Sequence, residues 1–231
     1  MMQMMRERGT AGRRFGLVVA LAAIAAMAYA GVSLAASDVI VGGPAATFSQ
    51  PTYNTDQGAV VEFQDNGGSH NVTARQKGPD GKDLFSSPTI TSGTAPVNGT
   101  QYLQAGDYPF FCTIHPTTMT GTLHVTGAGA AVPRPSAMLK LRTKTISKAV
   151  KKGLLVAITA GSQVDGVSLT AKLGKATIGS TTTSLTSGAQ TKTLKLSKAG
   201  KSKLRGKGKA TVKVTAEIPF GAPATAKAKL K

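Results

Sequence analysis

Cys112 is the only cysteine in this 231-residue chain, and it lies in FFCTIHPTTMTGTLHV (110–125) with two of the three histidines and Met119. Cys112, His115 and Met119 offer a thiolate, an imidazole and a thioether at spacings of three and four residues. That donor set suits copper held for one-electron transfer, which takes two imidazoles, one thiolate and a weak axial thioether. Zinc fits less well, because it rarely accepts a thioether and its structural sites prefer two or more thiolates. Taken singly, each residue also has an ordinary reading: Cys112 as a small buried hydrophobe, Met119 as core filling, His115 as a surface residue.

Three ligands this close in sequence require a loop, since a straight strand sends alternate side chains to opposite faces. The stretch supplies one, leaving a strand near Phe111 and entering the next near Gly121. One imidazole is still missing. His124 sits between Leu123 and Val125 in the second strand, so core-facing neighbours turn it away from the site, and it reads as an ordinary strand residue. His70, in VEFQDNGGSHNVTAR at the start of a strand after a turn-rich loop, is left as the second imidazole.

The elements around these residues read as short strands. Candidates are 38–42, 46–50, 59–65, 70–75, 100–104, 107–113 and 121–127, separated by DNGGS, KGPDGKD and APVNG. About ninety residues with this spacing suit a small antiparallel sandwich or barrel. GAGAAVPRPS (127–136) has the composition of an interdomain linker. Beyond it the segments at 138–142, 154–160, 167–173, 191–196, 210–218 and 224–231 alternate apolar residues with Lys or Thr, and SKAGKSKLRGKGK forms a basic turn or short helical piece.

FQDNGGSHNVT and AGDYPFFCTIHPTTMTGTLHV together resemble the cupredoxins, the plastocyanin–azurin–amicyanin group of blue copper proteins. The resemblance spans about residues 38–126. It implies a Greek-key β-sandwich with one type 1 copper site, His70, Cys112 and His115 as in-plane ligands and Met119 as the axial one. The loop resembles the short amicyanin type with one extra residue before Met119. Asn71, directly after His70, would tie the two ligand-bearing segments together near the sulfur. The function implied is single-electron transfer, through a transient redox partner docking where His115 lies between apolar Ile114 and Pro116. Copper storage or delivery without electron transfer is the alternative, as is a wall-adhering surface protein. The C-terminal half resembles, in composition only, Lys-rich immunoglobulin-like surface domains, so the expected fold class is all-β, two sandwiches in series.

Charge separates the regions further. The chain carries a formal +18, but residues 37–126 have seven acids against three bases, while 127–231 have 21 Lys/Arg against Asp165 and Glu217. A charge of that density points to anionic cell-envelope polymers or lipid head groups. Nucleic acid is not expected, because no aromatic residues interleave the lysines. Enzymatic chemistry is not expected either: the second half has no His, no Cys and only two acids, and no Gly-rich phosphate loop appears.

Residues 1–36 read as an export signal: Arg13-Arg14 precedes an uncharged run from Phe15 to Ala36, with small residues for cleavage after Ala30 or near Ala36. If uncleaved, the run is about long enough to anchor in a membrane. Either way the protein is placed outside the cytoplasm, in the envelope, periplasm or medium, where an unpartnered cysteine is bridged between chains, inert, or metal-bound. The expected layout is 1–36 signal, 37–126 copper domain, 127–136 linker and 137–231 basic β domain.

Overall fold

A computed structural model describes residues 39–231; the expected export signal lies outside the described residues. Among the described residues, no helix is long and apolar enough to cross a membrane.

The strands β1 (Val39–Gly43), β2 (Thr47–Phe48), β3 (Thr52–Gln57), β4 (Glu62–Asp65), β5 (Thr73–Ala74), β6 (Gly93–Pro96), β7 (Gly106–Phe111) and β8 (Thr120–Gly129) form two four-stranded sheets. Their orders are β2-β1-β4-β6 and β3-β8-β7-β5. The sandwich is mixed rather than purely antiparallel, because β1 pairs β4 and β3 pairs β8 in parallel. Alternation places one apolar layer between the sheets. Ile40 and Phe63 face inward from one sheet, Phe110, Leu123 and Val125 from the other. Phe48 joins them, its ring edge-on to Phe110 at 4.9 Å and to Phe63 at 6.4 Å. Such aromatic pairs add about 0.5–1.5 kcal/mol beyond area burial. Gly121 is matched to Phe110 across the β7–β8 ladder, and a Cβ there would lie 2.6 Å from the Phe110 ring. Only glycine lets that ring lie flat over the strand.

Several local expectations differ from the structure. Residues 100–104 do not form a strand; Thr100–Tyr102 is a 3-10 turn, entered through Gly99 at φ 104°. Thr100 is buried there, its Oγ1 accepting from Val61 N at 3.0 Å and donating to Val97 O at 3.1 Å. Two strands arise where none is expected. β3 (TYNTDQ) buries Tyr53 and Thr55 instead of aliphatic residues, and β6 turns Ala95 inward from a stretch whose Gly and Pro read as turn chemistry. The expected strand at 70–75 is short: only Thr73–Ala74 ladder with β7, and His70 makes an isolated antiparallel bridge with Ile90.

The second group of elements is β9 (Ala137–Leu141), α1 (Ile146–Lys152), β10 (Leu154–Ala160), β11 (Val164–Leu173), β12 (Ala176–Leu185), β13 (Gly188–Leu194), α2 (Lys198–Leu204), β14 (Ala210–Glu217) and β15 (Ala224–Leu230). Its sheets, ordered β13-β10-β9 and β12-β11-β14-β15, are wholly antiparallel. They enclose a second core of aliphatic residues that shares no member with the first. In β14, ATVKVTAE, every second residue is buried, so Lys213 is exposed between Val212 and Val214. α1 and β12 were not anticipated. α1 has two turns, too few to show a period, and is set by its ends: the Thr145 hydroxyl accepts from Lys148 N, and Gly153 stops it. β12 is mostly Thr and Ser, with Ile178 and Leu185 supplying its inward face.

The expected linker is partly strand, since β8 runs on to Gly129, which is matched to Gln57. The two sandwiches touch at Phe220. Its backbone N donates to Asp80 at 3.1 Å, its carbonyl accepts from Arg134 at 3.2 Å, and its ring lies 5.7 Å from that of Tyr102.

Candidate metal centre

β7 and β8 form a hairpin whose connecting loop is Cys112–Met119. The ladder ends with Phe111 opposite Thr120, and one further bond, Cys112 N to Met119 O at 3.0 Å, seals the loop base. Within the loop His115 N donates to Cys112 O at 3.2 Å and Met119 N to His115 O at 3.0 Å. The first of these turns accompanies the approach of the Cys112 and His115 side chains to each other. Cys112 and Met119 are fully buried; His115 is half-buried, between exposed Ile114 and Pro116.

His70 arrives from the other side. Two backbone bonds of 3.0 Å with Ile90 fix its main chain, and its side chain is buried. Its Nδ1 lies 3.9 Å from Cys112 Sγ, and so does Nδ1 of His115. The ligand atoms of His70, Cys112 and His115 all fall within 4.8 Å of one another. With metal–nitrogen bonds of about 2.0 Å and metal–sulfur bonds of about 2.3 Å, 3.9 Å is the separation of two ligands meeting one ion at a wide angle. The residues therefore fit a bound metal ion: two imidazole nitrogens and a thiol converge in a buried space, with a thioether on the same loop. Among the described residues His70 Nε2 is buried with no hydrogen-bond partner, and the missing Cβ of Gly68 leaves it room, for a Cβ there would stand 2.3 Å from that nitrogen.

Asn71 carries the second tie between the segments. Its Oδ1 accepts from Thr113 N at 2.9 Å, while its Nδ2 donates to the Thr113 hydroxyl at 2.7 Å and to that of Thr89 at 2.9 Å. His124 is turned out of the core, as its neighbours dictate, and pairs with Asp107 at 2.6 Å on the sheet surface.

Two residues near these elements escaped the sequence reading. Arg75 stacks over the half-buried Phe111 ring at 4.8 Å, and its guanidinium donates to Pro116 O at 3.3 Å, bracing the outside of the ligand loop. Half-buried Phe111 is the platform under that cation. Asp65 is buried with neither carboxylate oxygen partnered among the described residues; the alternation that turns Phe63 inward on β4 turns Asp65 inward as well. Its matched neighbours across the sheet are Gly42 and Gly93.

A search of the sequence against family profiles finds no match, and neither does one against curated proteins. Among solved structures, the chain is similar to a reduced tryptophan-to-tyrosine variant of amicyanin, at 22% identity over 38% of this chain and 81% of that one, TM-score 0.32. It is similar also to the reduced Cu(I) form of a proline-to-glycine variant of amicyanin, at 22% identity over 39% and 82%, TM-score 0.33. A third is auracyanin A, a "blue" copper protein from Chloroflexus aurantiacus, at 20% identity over 38% and 96%, TM-score 0.33.

Proposed function

We propose that the first sandwich is an exported blue copper domain carrying single electrons, in which His70, Cys112, His115 and Met119 would hold the copper. The observation that carries this reading is the convergence of two imidazole Nδ1 atoms on the buried sulfur of the only cysteine, each at 3.9 Å. When bound, copper supplies a one-electron couple, Cu(II) to Cu(I), with the electron drawn from and returned to partner proteins. The chain's own part is to hold the donor atoms still. His70 is pinned by its bridge to Ile90, and Cys112 by the ladder-closing bond to Met119. Asn71 locks the two segments together. Ligands held in a loop sealed at its base, and on a segment tied to that loop, resist a geometry change, so reorganisation on electron transfer stays small. Burial of Cys112, His70 and Met119 keeps water from the sulfur, and half-buried His115 offers the way out. Beside it, Ile114 is 47% exposed and gives an apolar contact for a weak, short-lived redox partner.

The remaining parts of the chain fit this reading. Residues 1–36 direct export, 37–126 and 137–231 act as separate domains, and the basic second sandwich holds the copper domain against anionic envelope material.

Adding Cu(II) to the purified protein tests the proposal. An intense visible thiolate-to-copper band and a matching EPR signal are expected, both absent in Cys112→Ser. A folded, copper-loaded but colourless protein would overturn electron transfer in favour of copper storage or delivery.

A further inference from the structure

We propose that a cavity in the second sandwich is a binding site for a linear phosphate polymer. It encloses about 430 Å³, within the about 300–1,000 Å³ typical of ligand pockets. Four cations line it, Arg142, Lys144, Lys148 and Lys152, with Leu155 and Thr193 between them and no acid. All four are exposed, and among the described residues none forms a salt bridge.

The strand register shows why no acid neutralises them. Ile146 N donates to Lys231 O and Lys231 N to Lys144 O, which puts the end of β15 beside the cavity. Leu230 is matched to Ala210, so the start of β14 lies at this end and Glu217 at the other. Glu217 is matched to Ser168 on β11, and Asp165 lies beyond that same far end. Both acidic side chains of the sandwich thus stand at the opposite end from the cavity, so no acidic side chain offsets the charge of its lining.

The charged and polar groups of the lining suit phosphate. Arg142 offers a planar fork suited to a tetrahedral oxyanion, the lysines act as point charges, and Thr193 adds a hydroxyl donor. A polymer is favoured over a free ion because the basic surface continues past the rim. α2 packs against α1 and adds Lys198, Lys201 and Lys203. A nucleic acid is disfavoured, since Phe220 is the only aromatic residue after 136 and it is occupied against Tyr102, leaving no surface on which bases could stack.

This rests on the reading that the second sandwich adheres to anionic material, and the test separates the two. The full chain is titrated with inorganic polyphosphate and, in parallel, with polyglutamate of similar length. One variant carries Arg142→Gln, Lys148→Gln and Lys152→Gln; a second removes equal charge from the exposed sheet face through Lys172→Gln, Lys213→Gln and Lys227→Gln. All six side chains are exposed, so both variants should fold, which circular dichroism checks. The cavity variant should bind polyphosphate at least about tenfold more weakly, the loss of one charge-assisted hydrogen bond, and the sheet variant should lose about threefold or less. Equal losses would overturn the cavity while leaving general adhesion standing. Polyglutamate binding as tight and as cavity-dependent would overturn phosphate selectivity. Failure of the unmodified chain to bind either polymer would overturn both readings.

Discussion

Asn71 stands opposite Thr113 and binds it twice, through Thr113 N at 2.9 Å and the Thr113 hydroxyl at 2.7 Å. The β5–β7 ladder pairs Thr73 with Phe111; carried two residues further, its register sets Asn71 against Thr113. The backbone ladder has stopped there, and one side-chain amide takes over its work. His70 precedes Asn71 and Cys112 precedes Thr113, so this amide fixes the distance between two donor atoms. Asn71→Ala should therefore weaken copper binding about 10–100-fold, the usual effect of losing a group that orients metal ligands. It should also cost about 1–3 kcal/mol of stability, through buried partners left unpaired. Chelator competition and urea unfolding read the two effects separately; unchanged copper affinity would remove Asn71 from the site.

Met119 invites a sharper test, because burial alone explains a methionine. Met119→Leu conserves volume and should cost less than about 1.5 kcal/mol, whereas Met119→Ala should cost about 2–5 kcal/mol by leaving a cavity. If the thioether contacts copper, the leucine variant keeps its fold yet shifts its reduction potential and visible spectrum. A potential equal to that of the unmodified protein would reduce Met119 to packing. Voltammetry on the two proteins decides.

Gly68 is held at φ +119°, and a Cβ would meet His70 Nε2 at 2.3 Å. Gly68→Ala should then strain the backbone by about 1–3 kcal/mol and push the imidazole from its place, lowering copper affinity about tenfold or more. Gly81→Ala is the matched control, since Gly81 also has a positive φ, +78°, and a Cβ there meets nothing within 4 Å. Equal copper affinities in the two variants would show that the loop, not the ring, absorbs the added methyl.

The site was legible in the sequence to the extent that it depends on scarcity and spacing. One cysteine, three histidines and the intervals 112–115–119 leave few ways to assemble soft ligands, and alternation around His124 removes it from the choice. What braces the site was hidden, because it depends on register. Nothing local shows that Arg75 will reach Pro116 or stack on Phe111. The fold shows the same division. β14 announces itself by strict alternation and β10 by a near-continuous apolar run, while β3 and β12 bury Tyr, Thr and two aliphatic residues among polar neighbours and give no periodic signal. α1 is set by a cap and a glycine, which act only once the core has brought its ends together.

Register also creates a stress on the outer face of the second sandwich. Lys172 is matched to Lys213, and Lys213 to Lys227, so three lysines stand abreast on adjacent strands. No acid faces them: Val212 and Val214 flank Lys213 on the opposite face, and the nearest residues on its own face of β14 are Thr211 and Thr215. Like charges directly opposite each other destabilise a sheet by roughly 0.2–1 kcal/mol per pair. Lys213 belongs to both pairs, and threonine is well suited to an exposed strand position. Lys213→Thr should therefore raise the stability of this sandwich by about 0.5–1 kcal/mol at low ionic strength. The gain should shrink as salt screens the row, the Debye length falling from about 30 Å at 0.01 M to about 3 Å at 1 M. Urea midpoints of both proteins at those two salt concentrations measure it. A gain that persisted undiminished in high salt would trace to strand propensity rather than to charge, and no gain at either concentration would mean that the lysine side chains splay far enough apart to escape one another.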